Sequence, residues 1–218
     1  MAKHLRRWAL MMTLVTSGIF LLSGRWTDPW LWLYALLWAG LSLRALLSID
    51  ENLAQERFHP PTAGADRLPL AAVRLFALAH LVGGALDIGR WHLTDTVPSV
   101  VRATALVGMV LGAALIFRAM RENYFFSSVV RIQTERGHRL IDTGPYAVVR
   151  HPGYAGMILA IPLSGLALGS WISFGFALMY AALILRRVVF EDDFLRHGLA
   201  GYEGYTERVR SRLIPAIW

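Results

Sequence analysis

The chain has 218 residues, of which 56% are hydrophobic and only 17% charged. A soluble domain carries about 25% charged residues, so this composition predicts a membrane protein. The absence of cysteine excludes disulfides, thiol nucleophiles and cysteine-ligated zinc or iron–sulfur centres.

Six apolar stretches follow in chain order: Trp8–Ser23, Pro29–Leu47, Pro69–Gly89, Ser99–Phe117, Tyr154–Gly169 and Trp171–Leu185. A membrane helix needs about 17–25 mostly apolar residues, and the second to fourth meet that. The first is short, and its basic flank KHLRR would also suit a signal peptide, but no convincing cleavage site follows and a retained helix is expected. The last two are short and joined only by GSW, so they predict one tight helical hairpin, its first arm bent at Pro162. Gly108/Gly112 and Gly165/Gly169 permit close helix approach.

The net charge of +7 distributes unevenly. Lys3 and most arginines lie at the N-terminus, after the second and fourth spans, and in the C-terminal tail. By the positive-inside rule this puts both termini in the cytoplasm, with anionic lipid contact as a further expectation. Topology thus accounts for the charge, and nucleic acid is not an expected partner. The reading is an all-α integral membrane protein and a single domain over 1–218. Residues 1–117 hold the N-terminal transmembrane helices and 118–218 form a functional region. The longest polar intervals, Ser48–Leu68 and Arg118–Arg150, fall on the cytoplasmic side. In the second, VVRIQTERGHRLI has two β-rich runs around TERG and predicts a small hairpin or extended lid.

Two stretches carry chemistry. DTGPYAVVRHPGYAG, Asp142–Gly156, sets an Arg-His pair between two turn signals, Gly144-Pro145 and Pro152-Gly153, immediately before an apolar run. At the end of the last span, Arg187 and Glu191 are four apart and share a helix face. Beyond them Phe190, Phe194, Leu195, Leu199, Tyr202 and Val209 recur at helical spacing, interrupted by Gly198, Gly201 and Gly204. A helix on the membrane surface or across the cytoplasmic loop would explain the stripe. Both stretches lie on one membrane face, so they predict a pocket with the aromatic faces of Tyr146 and Tyr154, the imidazole of His151 and an Arg-Glu pair. Simpler roles also exist: Tyr146 and Tyr154 as interfacial anchors, and Arg150 as an ordinary positive-inside residue.

These elements carry a resemblance. HRLIDTGPYAVVRHPGY, an apolar hairpin, then R-x3-E-D-x2-L and GY-x2-Y-x3-VRSRLIP-x-IW resemble the isoprenylcysteine carboxyl methyltransferase family, chiefly its bacterial members, over about Asn123–Trp218. The resemblance implies an integral-membrane methyltransferase that uses S-adenosyl-L-methionine without a Rossmann fold, at the bacterial inner membrane. It implies an acceptor that is small or lipophilic, a carboxylate above all, and a lipid-side tunnel. Carried over by position, His138, Arg139, Leu140, Ile141, Tyr146, His151, Pro152, Gly153 and Tyr154 contact the cofactor, with Gln133 a further match upstream. Glu191 is the acidic cofactor ligand and, with Arg187 beside the methyl acceptor, makes up the catalytic pair; no metal is implied. The sequence departs from the family where the usual paired glutamate is Glu191-Asp192 and where Leu199-Ala200 replaces a Phe-Gly.

Inside the spans, His80 and Asp87 share a face and are candidates for the tunnel wall, with snorkelling of Asp87 toward Arg90 as the competing role. A small transporter with Arg74, His80, Asp87 and Arg102 as a polar path, a structural membrane protein without methyltransferase activity, and a haem-binding subunit are the alternative readings. Visible internal repeats and paired in-membrane histidines on separate helices are missing from the sequence.

Overall fold

A computed structural model describes residues 2–58, 60 and 64–218. The described residues form eight α-helices and no strand: α1 Ala2–Ser23, α2 Pro29–Leu47, α3 Glu51–Phe58, α4 Arg67–Leu86, α5 Ser99–Glu122, α6 Pro152–Leu168, α7 Trp171–Gly198 and α8 Tyr202–Arg208. Five segments are long and apolar enough to cross a membrane: Lys3–Ser23, Pro29–Leu47, Ala71–Trp91, Ser99–Glu122 and Trp171–Gly198; α6 is a shorter apolar helix. Leu14, Leu36, Leu78, Val100 and Leu111, on four of these segments, leave 60–75% of their surface uncovered. A bilayer covers such faces without cost, while the helices satisfy their own backbone groups. The chain is an integral membrane protein.

The first span is longer than its apolar run predicts, because the helix extends through KHLRR to Ala2. The last is longer still: α7 has 28 residues, about 42 Å at ~1.5 Å per residue, against a hydrocarbon core of about 30 Å. The excess, about 12 Å or roughly eight residues, lets its C-terminal end project beyond the apolar layer, with Glu191 there and Arg187 one turn before it. Helix α2 starts where Asp28 accepts hydrogen bonds from the amides of Trp30 (2.8 Å) and Leu31 (3.4 Å), with Pro29 in the first turn, where its missing N–H costs nothing. Helix α6 runs unbroken through Pro162.

Glycines set how closely the helices approach. A Cβ at Gly112 would stand 2.8 Å from the backbone of Ala160 and Gly156, so α5 and α6 pack nearly backbone to backbone. The α6–α7 turn uses Gly169 at φ 100°, and Ser170 caps α7 by accepting from the amide of Ser173.

Asp87 corrects one expectation. It opens a π-helical turn, Asp87–Trp91, that ends α4. Its fully buried carboxylate accepts from the amides of Leu93 and Thr94 and from the hydroxyls of Thr94 and Ser170. Arg90 donates instead to the carbonyls of Leu21 and Leu22. Asp87 thus ties α4 to the α6–α7 turn. His80 is also engaged by neighbours. Its Nδ1 lies 2.8 Å from Ser173 Oγ and its Nε2 3.3 Å from Ser164 Oγ, which in turn meets Tyr34 Oη at 2.7 Å. Because the Ser173 hydroxyl donates to the His80 carbonyl, Nδ1 is the ring donor and Nε2 the acceptor. Arg102 donates to the carbonyls of Ala167 and Leu168 and lies over the Trp30 ring. His80, Asp87 and Arg102 are thus consumed by local packing and outline no shared polar path.

No hairpin forms among the described residues of Val129–Ile141. The two flanks are irregular and meet in a 3₁₀ turn, Thr134–Arg136, closed by Gly137 at φ 63°. Gln133 explains it: fully buried, its side chain donates to the Phe125 carbonyl at 2.7 Å and accepts from Arg136. These local bonds replace a cross-strand ladder, and the stretch is a strap across the ends of α5 and α7. The Ser48–Leu68 interval contains α3; residues 59 and 61–63 of it lie outside the described residues.

Candidate active site

A cavity of about 220 Å³ opens where α6 and α7 emerge. The strap, the Gly144–Ala147 3₁₀ turn, α3, α4 and α8 contribute its other walls. Of the residues named from the sequence, His138, Arg139, Leu140, Ile141, Tyr146, His151, Gly153, Tyr154, Arg187 and Glu191 line it. Gln133 and Pro152 do not: Gln133 braces the strap, and Pro152 occupies the first turn of α6.

Each wall residue is held for a local reason. Gly144, at φ 56°, starts the 3₁₀ turn that buries Tyr146. The turn is fixed by Tyr205, whose hydroxyl donates to the Tyr146 carbonyl at 2.7 Å. Gly153 leaves room for Phe126, whose ring carbon would stand 2.4 Å from a Cβ at that position. Leu140 packs on the buried cluster of Leu199, Tyr202 and Tyr205. His138 stacks on Phe125 at 4.4 Å between centroids, and its Nδ1 accepts from the Gln133 amide. Burial first, then the charges of Arg131 and Arg136, pulls the His138 pKa down to about 4.

Arg187 and Glu191 share a face but are joined through a third group. Tyr154 accepts a hydrogen bond from Arg187 Nε at 2.9 Å and donates one to Glu191 Oε2 at 2.5 Å. Arg187 also donates to the Ser128 carbonyl at 2.9 Å and lies 3.9 Å from Asp66. A guanidinium at 4% side-chain exposure is held in one orientation by these partners. Two buried oxygens nearby lack a hydrogen-bond partner, Ser128 Oγ and Asp66 Oδ2. Unsatisfied buried oxygens are uncommon in native proteins, and Ser128 lines the cavity.

The feature sequence reasoning missed is Asp192. It is 1% exposed and serves as a hub: Arg150 grips it bidentately at 2.7 and 2.9 Å, Arg212 Nε donates at 3.0 Å, Tyr202 Oη donates at 2.9 Å, and His151 Nε2 lies at 3.2 Å. The remaining Arg150 donor meets the carbonyls of Val209 and Arg210. Arg150 is therefore a buried structural cation, beyond any topology signal. Burial, then the Asp192 charge, pushes the Tyr202 phenol well above its usual range. The hint in the sequence was Glu191-Asp192, standing where the family usually has a paired glutamate.

Comparison with known proteins falls on this region. Residues 103–197 match the Isoprenylcysteine carboxyl methyltransferase (ICMT) family. The chain is 31% identical over 110 residues to a probable protein-S-isoprenylcysteine O-methyltransferase of Oryza sativa subsp. indica, covering 50% of this chain and 56% of the relative. It is 31% identical over 128 residues to the protein-S-isoprenylcysteine O-methyltransferase of Schizosaccharomyces pombe, covering 57% and 54%. A third relative, protein-S-isoprenylcysteine O-methyltransferase B of Arabidopsis thaliana, is 28% identical over 108 residues, 49% of this chain and 53% of that protein. The chain spans about half the length of the curated relatives it matches. Residues 103–197, which supply most of the cavity lining, are thus similar to the isoprenylcysteine carboxyl methyltransferase family.

Proposed function

We propose that this chain is an S-adenosyl-L-methionine-dependent methyltransferase that acts at the membrane on the carboxylate of a lipophilic acceptor, with residues 118–218 as its catalytic region. The observation that carries the reading is the Arg187–Tyr154–Glu191 relay in the cavity wall. It puts one fixed cation and one carboxylate into the same enclosed space. That pair fits the two ligands: an ammonium on one, a carboxylate on the other.

The donor set fits the cofactor. Glu191 would hold its α-ammonium, while His151 and the segment His138–Ile141 would hold the rest, beside the unpartnered Ser128 hydroxyl. When bound, the cofactor supplies a sulfonium methyl group: the new O–CH₃ bond forms as the S–CH₃ bond breaks, its electron pair remaining on sulfur. The protein's share is alignment and exclusion of water. A carboxylate acceptor is already ionised at neutral pH and needs no base. Arg187 would hold one acceptor oxygen along the line of attack, its planar fork suiting a carboxylate better than a lysine would. Tyr154 keeps the guanidinium and Glu191 in register. Both termini would lie on the cytoplasmic side of a bacterial inner membrane.

Titration of S-adenosylmethionine and S-adenosylhomocysteine into purified protein in nanodiscs tests the reading. Binding to wild type that Glu191→Ala and His151→Ala abolish, with the fold intact, is the expected result. Absence of binding to wild type in nanodiscs and in detergent would overturn it.

A further inference from the structure

The family match begins at residue 103, yet the cavity has a wall from outside it. Helix α3 contributes Arg57, whose guanidinium carbon sits 5.0 Å above the Phe126 ring and which lines the cavity. Its orientation follows from its neighbour. Glu56, 4% exposed, accepts from Arg131 at 3.0 and 2.7 Å and from the Ser127 hydroxyl at 2.6 Å. That clamp fixes the register of α3 against the 127–131 segment, and the next side chain faces the cavity.

Arg57 differs from the other covered guanidinia near the site; Arg139 also lines the cavity but is exposed. Arg131 has Glu56 and Glu135, Arg150 has Asp192, and Arg187 has Asp66 and, through Tyr154, Glu191. Among the described residues, no carboxylate lies within 4.0 Å of Arg57. A half-buried cation with only an aromatic face for company lacks the opposite charge that buried cations normally have. Burial, reinforced by the like charge of Arg187 and opposed by the phenols of Tyr154 and Tyr180, lowers its pKa from the usual arginine value. An anion in the cavity would relieve that cost.

We propose that Arg57 is a second cation of the acceptor site, which with Arg187 forms a two-guanidinium seat for the acceptor's carboxylate. The proposal rests on the methyltransferase reading and adds a specificity residue to it. The acceptor's apolar body extends from this seat along Val73, Met157, Tyr180 and Ile184, which line the same cavity and pack together between α4, α6 and α7. The seat thus joins the family-matched segment to a helix outside it, and α3 contributes to acceptor choice.

The test compares wild type, Arg57→Gln and Arg57→Lys in detergent micelles. Direct binding of radiolabelled N-acetyl-S-farnesylcysteine is competed by the unlabelled acid and by its neutral carboxamide, and S-adenosylhomocysteine affinity is measured on the same samples. Wild type should prefer the acid to the amide by at least tenfold. Arg57→Gln should remove most of that preference and leave S-adenosylhomocysteine affinity within twofold, while Arg57→Lys keeps an intermediate preference. Failure of wild type to bind the acid, no preference in wild type, or a preference unchanged in Arg57→Gln would overturn the assignment. Loss of S-adenosylhomocysteine binding in wild type strikes the methyltransferase reading alone, because acceptor binding is read without it.

Discussion

At the scale of single residues, the site divides into groups that face the cavity and groups that hold them there. Asp192 is the main holder, and its removal should be expensive because Arg150, at 5% exposure, would remain buried opposite an uncharged amide. Breaking a buried pair from one side costs about 3–5 kcal/mol. Asp192→Asn should lose stability of that order in reversible unfolding in detergent, and Arg150→Met combined with Asp192→Leu should recover part of it. His138 gives a pH signature. Its folded pKa of about 4 lies below the unfolded value of 6.5, so the unfolded chain binds more protons in between and stability rises with pH there. Its contribution is complete above pH 6.5, erodes as pH falls toward 4, and levels below that. His138→Gln should flatten this part of the stability–pH curve measured by thermal unfolding. Positions such as His138, Tyr154, Arg187 and Glu191 were legible from sequence because short, stiff spacings carry them. The Arg150–Asp192 pair was not, because 42 residues separate its members and an arginine at a span end already has an ordinary explanation.

At the scale of elements, apolar runs located the helices, but polar residues decided their ends. The first helix takes in KHLRR because nothing in that flank breaks a helix, and α7 continues through RRVVFEDDFLRHG because its charges find partners outside the apolar layer. Of the hairpin and the extended lid expected at Val129–Ile141, the hairpin did not form, because β-branched residues favour strands only where a partner strand is available and Gln133 closes a tighter turn. Glycine spacing was more informative. Gly112→Leu should force α5 and α6 apart and cost about 1–3 kcal/mol, the usual range for overpacking. Gly18→Ala is the matched control, since a Cβ at Gly18 would meet nothing within 4 Å. Thermal unfolding of both variants in the same detergent checks the contrast.

For the whole molecule, the charge distribution predicted an even number of crossings; five helices are long and apolar enough to cross, and α6, at 17 residues, is shorter than these. With no cysteine in the chain, single-cysteine labelling can read orientation against a silent background. Cysteines replacing Ser48 and Arg210 should resist a membrane-impermeant maleimide applied to intact cells, and one replacing Thr96 should react. Labelling of Arg210Cys from outside would break the proposed orientation. The same arginines entered both the topology and the site expectations, because they cluster at the ends of the spans. The Arg57 wall was hidden, since α3 reaches the cavity only through tertiary contact.

One hydroxyl described above has a wider consequence. Tyr154 stands between a cation and a carboxylate, so whatever engages Glu191 alters what the phenol offers Arg187, and the reverse holds with equal free energy. If the cavity seats both ligands as proposed, the two would be thermodynamically linked through a single oxygen. Occupancy of one half would then be felt by the other through that hydroxyl.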